Sequence, residues 1–132
     1  MLKLELPYPP TVNTYWRASG HRRFISKEGV AFKQAVVEYV IENDIPKLGD
    51  APLSVFVALF PRDKRRTDVD NRLKAICDAL QDAGVYDDDS QIEFLAVLRQ
   101  EQVKGGKCVV IIEPIDEDEL KELRETWRIS DE

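Results

Sequence analysis

Strand and helix patterns alternate along this chain in an order that leaves few folds open. Leu2, Leu4 and Leu6 alternate with charged residues, which is the period-two pattern of a strand with one buried face. The run LSVFVALF, residues 53–60, is rich in β-branched and aromatic residues. Because Pro61 closes this run, it predicts a second strand of ordinary length.

Two more strand-like runs lie in the second half of the chain, IEFLAVLRQEQ (92–102) and CVVIIEP (108–114). They stand on either side of Gly105 and Gly106, and a glycine pair between two such runs is typical of a β-hairpin. Because lysines flank the glycines, the tip of this predicted hairpin would be basic.

Two helix patterns separate these strands. The first follows Ser26, a favoured N-cap residue, and ends before Pro46. Its apolar residues recur at helical spacing: Phe32, Ala35, Val36, Tyr39 and Val40. The second is predicted to begin with Thr67 as N-cap and Asp70 as the acid of a capping box, and to end at Gly84. Its apolar stripe consists of Val69, Leu73, Ile76, Cys77 and Leu80.

Two segments lie outside this alternation. Residues 11–25, TVNTYWRASGHRRFI, are expected to form a loop, and a loop of that length is uncommon in a compact domain unless it has a function. A last helix is expected from about residue 116 to 128, where Asp116 and Glu119 form a capping box. The apolar stripe of this helix is Leu120, Leu123 and Trp127.

The order β-α-β-α-β-β predicts an α+β fold in which helices pack on a mixed β-sheet, with an added C-terminal helix. A chain of 132 residues is long enough to bury one core without help, so we expect a single domain. Residues 1–113 are expected to form that domain, and residues 114–132 an acidic helical extension packed on it.

Charge is distributed unevenly along the chain. The formal net charge is −6, but residues 1–74 hold 13 Lys/Arg against 9 Asp/Glu, which is +4. Residues 75–132 hold 6 against 16, which is −10. Because salt screens exposed charges beyond about 8 Å, a basic face can attract a polyanion despite the acidic total. An ordinary acidic cytosolic protein is the alternative interpretation.

Several classes of protein are disfavoured by composition. A lone His21 and two cysteines cannot supply the usual ligands of a zinc site. Cys77 and Cys108 have apolar neighbours, and we expect them to be reduced core residues. No apolar run is long enough to span a membrane, and the N-terminus does not resemble a signal peptide. We therefore expect a cytoplasmic protein.

The stretch KRRTDVDNRLK, residues 64–74, combines cations and carboxylates. Asp68 and Asp70 are either acids of a helix N-terminus or ligands that converge on one cation before the helix begins. The acidic run 87–89 is either a solvated turn or a source of a third ligand. A helix of about 20 Å separates the two clusters, so Asp89 would reach the site by folding back, through the following strand, or from a partner subunit.

The chemistry of such a site follows from its residue types. Oxygen ligands without His or Cys suit Mg²⁺ or Mn²⁺. Lys74 would stabilise charge on a phosphate, or simply pair with Asp70 one turn away. Asn71 would orient a phosphate or a ligand. The basic residues that precede the acids would hold a phosphate backbone: Arg62, Lys64, Arg65 and Arg66.

Two longer motifs resemble the RusA-type Holliday junction resolvases, which are small metal-dependent endonucleases of bacteria and their phages. LPYPPTVNTYWR resembles the family's N-terminal LP-x-PPS-N-x-x-Y-x-R stretch. RRTDVDNRLKAICDALQDAGVYDDDSQI resembles its R-x-D-x-DN-x-x-K-x-x-x-DAL…AG…DD-x-Q core. The match covers most of residues 4–113 and does not include the acidic extension.

The resemblance implies roles for individual residues. Asp68, Asp70 and Asp89 would be the metal-binding acids, with Asp88 as the second choice for the third position, and Lys74 would be the catalytic lysine. The residues implied to contact DNA are Arg65, Arg66, Asn71, Lys74, Asn13 and Arg17. The family also implies a homodimer with both active sites on one face, which suits the two-fold symmetry of a four-way junction.

The sequence therefore favours a structure-selective, Mg²⁺-dependent DNA endonuclease acting on branched DNA. A module that binds branched DNA without cutting it is the main alternative. A nucleotide or sugar-phosphate enzyme is a weaker one, because no glycine-rich phosphate loop follows any strand. Tyr8, Tyr15 and Trp16 would either stack on unpaired bases or pack the proline-rich loop.

Overall fold

The computed structural model describes residues 1–130, so the expectations for residues 131 and 132 of the extension lie outside the described residues. The strands are β1 (Leu2–Leu6), β2 (Trp16–Ser19), β3 (Arg22–Ile25), β4 (Leu53–Phe60), β5 (Ile92–Arg99) and β6 (Lys107–Pro114). The helices are α1 (Val12–Tyr15), α2 (Lys27–Glu42), α3 (Leu73–Asp82) and α4 (Glu117–Thr126).

Four strands form the main sheet in the order β1-β6-β4-β5. β4 pairs parallel with β5 and antiparallel with β6, and β6 pairs antiparallel with β1. α3 connects the two parallel strands, since parallel neighbours need a crossover rather than a tight turn. The predicted α+β fold with a mixed sheet is confirmed.

The prediction of a hairpin between β5 and β6 is wrong, because β4 lies between these two strands. Their connection runs past the end of β4, where the Gln100 N–H donates to the Leu59 carbonyl at 2.8 Å. The glycine pair still makes a turn, with φ of 79° at Gly105 and 69° at Gly106. The glycine turn could be predicted from the sequence. The position of β4 between β5 and β6 in the sheet could not.

Residues 11–25 are not the structureless loop that the sequence suggested. They contain α1 and a small two-stranded sheet in which β2 pairs antiparallel with β3. Thr11 caps α1, because its side chain accepts a hydrogen bond from the Thr14 N–H. Ser26 caps α2 as predicted, and its hydroxyl also donates to the Thr14 carbonyl, which ties the two helices together.

The second long helix begins later than predicted. α3 starts at Leu73, its N-cap is Arg72, and no side chain caps it, so Thr67 and Asp70 do not form the expected capping box. Residues 63–72 are not helical: bends at 63–64 and 69–70 and a turn at 71–72 enclose the irregular stretch 65–68. The Arg99 Nη2 donates to the Thr67 carbonyl at 2.5 Å, which holds this segment against the end of β5.

α2 and α3 pack on one face of the sheet and bury the core. The alternating leucines of β1 face it, since Leu4 and Leu6 are buried while Lys3 and Glu5 are exposed. Cys77 and Cys108 are buried and free, as expected. Within residues 1–130, no helix has both the length and the apolar character needed to cross a membrane.

α4 is mainly exposed. Asp116 caps it as predicted, accepting a hydrogen bond from the Glu119 N–H at 2.8 Å. None of its residues is buried, and Trp127 is 76% exposed, so this tryptophan does not complete the buried stripe that was predicted. An ion pair of 3.2 Å between Arg124 and Glu93 connects α4 to the start of β5.

Candidate active site

Lys74 lies between two carboxylates on the exposed side of α3. Its Nζ is 2.9 Å from Oδ1 of Asp78, one turn further along the helix, and 3.8 Å from Oδ2 of Asp89. The hydrogen bond with Asp78 raises the pKa of Lys74 above its usual value, and the charge of Asp89 adds to this effect. Lys74 is therefore a fully charged ammonium near neutral pH.

The chain after α3 folds back alongside the helix, which is how Asp89 reaches Lys74. The buried Tyr86 hydroxyl donates to the Cys77 carbonyl at 2.6 Å, so the returning chain is fixed to the middle of α3. The Asp89 N–H then donates to Oε1 of Gln81 at 2.8 Å. Folding back, the first of the three routes left open by the sequence, thus brings Asp89 to Lys74, and its convergence with Asp68 and Asp70 stays a prediction.

Asp88 and Asp89 have different environments. Oδ1 of Asp88 accepts from the Ser90 N–H at 2.8 Å, and this hydrogen bonding lowers the pKa of Asp88. Asp88 thereby caps the short 3₁₀ turn Asp89–Gln91, whereas the Asp89 carboxylate faces Lys74. This geometry favours Asp89 over Asp88 as the acid available to a cation.

Gln91 anchors the same turn to another part of the chain. Its Nε2 donates to the carbonyls of Gly49 and Ala51 at 2.9 and 2.8 Å. Its Oε1 accepts from the Asp88 N–H at 2.8 Å, so both ends of the side-chain amide are used. The turn that carries Asp89 is therefore held at both of its ends.

Asp68 and Asp70 are exposed in the bend segment before α3. Asp68 lines a groove of about 620 Å³ together with the basic residues Lys64, Arg65, Arg66 and Arg99. Asp63 organises this basic segment, with its carboxylate 3.2 Å from Arg65 Nη2 and 4.0 Å from Arg62 Nε. A positively charged groove thus leads to one of the candidate acids.

The remaining candidates occupy two neighbouring positions. The Asn71 carbonyl accepts from the Val12 N–H at 2.6 Å, which places the start of α1 against the acidic segment. Asn13 is exposed on α1, and Oδ1 of Asn71 is buried without a hydrogen-bond partner. Arg17 is exposed on β2. The pKa of Glu28 at the start of α2 is lowered mainly by a hydrogen bond from the backbone, and the charge of Arg17 contributes a smaller part.

Aromatic residues in this region have mixed environments. Tyr15 is fully buried and contacts Trp16 edge-on at 5.4 Å, so Tyr15 is a core residue rather than a stacking platform. Trp16 is half-buried and lies 5.2 Å from the guanidinium of Arg23. Tyr8 stacks against Arg72 at 4.1 Å, which matches the expectation of packing within the proline-rich segment.

The acids meet the chemical requirement for a hard divalent cation, because every candidate ligand is a carboxylate oxygen. Within the part of the chain that the structure describes, however, no group of three or more His, Cys, Asp or Glu side chains is close enough to hold a metal ion. Exposed like charges repel one another when no cation lies between them. Mg²⁺ also needs only one or two carboxylates when a phosphate and waters complete its shell.

Sequence reasoning missed Asp78, Gln81 and Arg99. Helical periodicity could have identified Asp78, because it is four residues after Lys74 and the two side chains therefore lie on one face of α3. Gln81 and Arg99 act through contacts made by the folded-back turn and by the parallel pairing of β4 with β5. No local pattern indicates such contacts.

The fold and the site together define a small α+β protein in which Asp68 lines a basic groove and Lys74 contacts two further acids, a combination suited to binding a polyanion. The chain belongs to the endodeoxyribonuclease RusA family, whose model matches residues 7–113. That range contains every candidate residue described above and ends before α4.

Similar proteins occur in phages and bacteria. The crossover junction endodeoxyribonuclease rusA of Enterobacteria phage HK97 is 34% identical over 111 residues, which is 84% of this chain and 92% of the relative. The crossover junction endodeoxyribonuclease RusA of Escherichia coli K12 is 36% identical over 110 residues, 83% of this chain and 91% of the relative. The corresponding protein of Enterobacteria phage 82 is also 36% identical over 110 residues.

Proposed function

We propose that this protein is a DNA endonuclease that resolves Holliday junctions by paired, metal-dependent hydrolysis of phosphodiester bonds. The observation that carries the proposal is the meeting of Lys74 and Asp89, 3.8 Å apart, in a member of a family of endodeoxyribonucleases. Relatives named for crossover junctions support branched DNA as the substrate. Since they come from bacteria and their phages, the site of action is the bacterial cytoplasm.

The residues that would hold the metal are Asp68, Asp70 and Asp89, and the ion that suits them best is Mg²⁺, with Mn²⁺ as a substitute. When bound, such an ion polarises a phosphoryl oxygen and lowers the pKa of a water molecule. Asp68 and Asp70 are exposed to solvent on the irregular segment before α3, where a substrate could reach them. A divalent cation held between these carboxylates would offset their mutual repulsion and that of a bound phosphate.

The protein's own residues position and stabilise the scissile group. The Lys74 ammonium stabilises negative charge that develops on the phosphate, because it is charged and already directed toward Asp89. Arg65 and Arg66 bind phosphates of the backbone in the basic groove. Asn71, Asn13 and Arg17 contact the DNA on the α1 side of the site.

Paired cleavage requires two active sites, and we propose a homodimer formed through the outer face of the main sheet. This face, opposite the helices, carries apolar residues on β4, β5 and β6: Phe56, Ala58, Phe94, Ala96, Leu98, Val109 and Ile111. A sheet with one face in water normally carries polar residues there. Lys3, Glu5, Lys107 and Glu113 surround the patch, and two charges of each sign suit pairing with a second copy of itself.

The decisive test uses a labelled four-way junction with and without Mg²⁺, and the variant Asp70→Asn. Wild-type protein is expected to cut only with metal, while Asp70→Asn binds the junction with nearly unchanged affinity and does not cut. The variant removes a charged metal ligand but leaves the basic groove intact. Wild-type binding without cleavage under any metal would instead identify a non-cleaving branched-DNA-binding module.

A further inference from the structure

Arg72 is a buried cation without an acidic partner. It is only 6% exposed, and among residues 1–130 it forms no ion pair with Asp, Glu or a chain terminus. Its Nη1 donates to the Pro9 carbonyl and its guanidinium lies 4.1 Å from the centre of the Tyr8 ring. Its Nε is buried and has no hydrogen-bond partner. Buried charges in proteins are normally paired, so this arrangement is incomplete.

Arg72 lines a cavity of about 100 Å³ that has a strongly positive wall. Four arginines and one carboxylate contribute to that wall: Arg62, Arg65, Arg66, Arg72 and Asp63. Asp63 forms its ion pairs with Arg62 and Arg65, and its charge compensates Arg72 only in part and without direct contact.

The cavity is built from three separate segments that fit closely. Gly106 has a φ of 69°, and a Cβ added there would lie 2.8 Å from Cγ of Tyr8 and 3.1 Å from Cβ of Arg62. Only glycine allows this approach. The Gly105-Gly106 turn therefore fixes the Tyr8 ring, and the ring in turn covers the Arg72 guanidinium. The Arg72 side chain is therefore held in place without a ligand, whereas Arg62, Arg65 and Arg66 are exposed at the edge of the cavity.

The position of the cavity relates it to the candidate active site. Arg65, Arg66 and Thr67 line both this cavity and the larger groove that contains Asp68. None of Asp68, Asp70, Asp89 and Lys74 lines the cavity itself. A group bound beside Arg72 is therefore distinct from the scissile phosphate but can belong to the same DNA strand.

We propose that this cavity is an anion subsite that binds one non-scissile phosphodiester group, with Arg72 as its buried receptor. The identity of the anion as DNA phosphate rests on the proposed function. A phosphate supplies the acceptor oxygens and the negative charge that Arg72 lacks, and a guanidinium fork suits phosphate geometry. Binding there fixes the register of the strand relative to the acids.

The first test measures binding of wild-type protein and Arg72→Met to a labelled four-way junction in the absence of divalent metal. Affinity is followed between about 50 and 200 mM salt, where each phosphate contact contributes about 0.9 to the slope of log K against log salt. Loss of the subsite lowers the magnitude of that slope by about one. Arg128→Met is the matched control, because Arg128 lies after the acidic helix and pairs with Glu125. An unchanged slope in a folded Arg72→Met variant overturns the proposal.

The second test does not depend on folding of the variant. In wild-type protein with labelled arginine, inorganic phosphate is titrated at constant ionic strength, and the Nε–H signals are followed by NMR. A saturable shift of the Arg72 signal, with the Arg128 signal constant, supports the subsite. Shifts confined to exposed arginines such as Arg65 overturn it. Both tests are independent of cleavage, so a wild-type protein that fails to cut contradicts the proposed function alone.

Discussion

At the scale of single residues, the environment of Lys74 decides what its charge can do. Asp78 is four residues after Lys74, so a helical contact between them could be predicted from the sequence. The only ion pair that we predicted for Lys74 was the alternative one with Asp70. The structure starts the helix at Leu73, so Asp70 precedes the helix and Asp78 becomes the partner. The contact with Asp89 depends on a turn 15 residues away in the chain, which no local pattern predicts.

Asp78→Asn is expected to lower the rate of junction cleavage with little change in binding. Without the carboxylate, Lys74 loses the hydrogen bond that directs its ammonium, and misplacement of a catalytic group by about 1 Å can cost about 100-fold in rate. Single-turnover cleavage and junction affinity are measured separately. Asp82→Asn is the control, since Asp82 is on the same helix but pairs with Lys33. Equal effects of the two substitutions would contradict a role specific to Asp78.

Burial makes both cysteines unreactive in the folded protein. It raises the pKa of Cys77 to about 11 and that of Cys108 to about 12, so neither thiol ionises near pH 8. We expect slow reaction with a disulfide reagent at that pH, and complete reaction of both thiols in guanidinium. Because the folded state keeps these thiols protonated, this contribution to stability is full below the ordinary pKa of 9.0 and is lost as the pH rises toward 11. Rapid reaction of either thiol in the native protein would contradict the raised pKa values.

At the scale of elements, the sequence predicted the strands and helices whose bounds follow from local residue patterns. It did not predict bounds that depend on contacts with distant parts of the chain. β1, β4 and α2 follow from alternation, β-branched content and the Ser26 cap. Thr67 and Asp70 form the spacing of a capping box, yet Arg99 holds the Thr67 carbonyl and the helix starts six residues later, at Leu73. The tertiary contact outweighs a capping preference of about 1 kcal/mol.

The turn that carries Asp89 gives a prediction at this scale. Gln81→Leu removes the acceptor for the Asp89 N–H, so Asp89 should be held less firmly near Lys74. We expect slower cleavage and a higher metal concentration for half-maximal rate, with thermal stability changed by about 1 kcal/mol at most. Gln81→Glu keeps an acceptor oxygen at the same place and should restore much of the loss. A leucine variant with wild-type metal dependence would exclude this positioning role.

At the scale of the whole molecule, both faces of the main sheet are apolar. One face is covered by α2 and α3, and the other exposes Phe56 (41%) and Leu98 (58%). The sequences of β4 and β5 do not show which residues face outward, because apolar residues occupy both odd and even positions of each strand. The strand order, with β4 between β5 and β6, is what gathers the outer residues into one patch.

Phe56→Glu is expected to convert a dimer into a monomer, because it buries a charge in the centre of the proposed interface. Each isolated subunit keeps its acids and Lys74, since Phe56 is on the face opposite the core. The monomer should therefore nick a junction on one strand and lose paired cleavage, which a cruciform plasmid separates as nicked circular and linear products. Sedimentation gives the oligomeric state directly.

Val30→Glu, at a 46% exposed apolar residue of α2, serves as control and should remain dimeric. A Phe56→Glu protein that still sediments as a dimer would place the interface on another surface, whereas a monomer that still makes paired cuts would remove the need for a dimer.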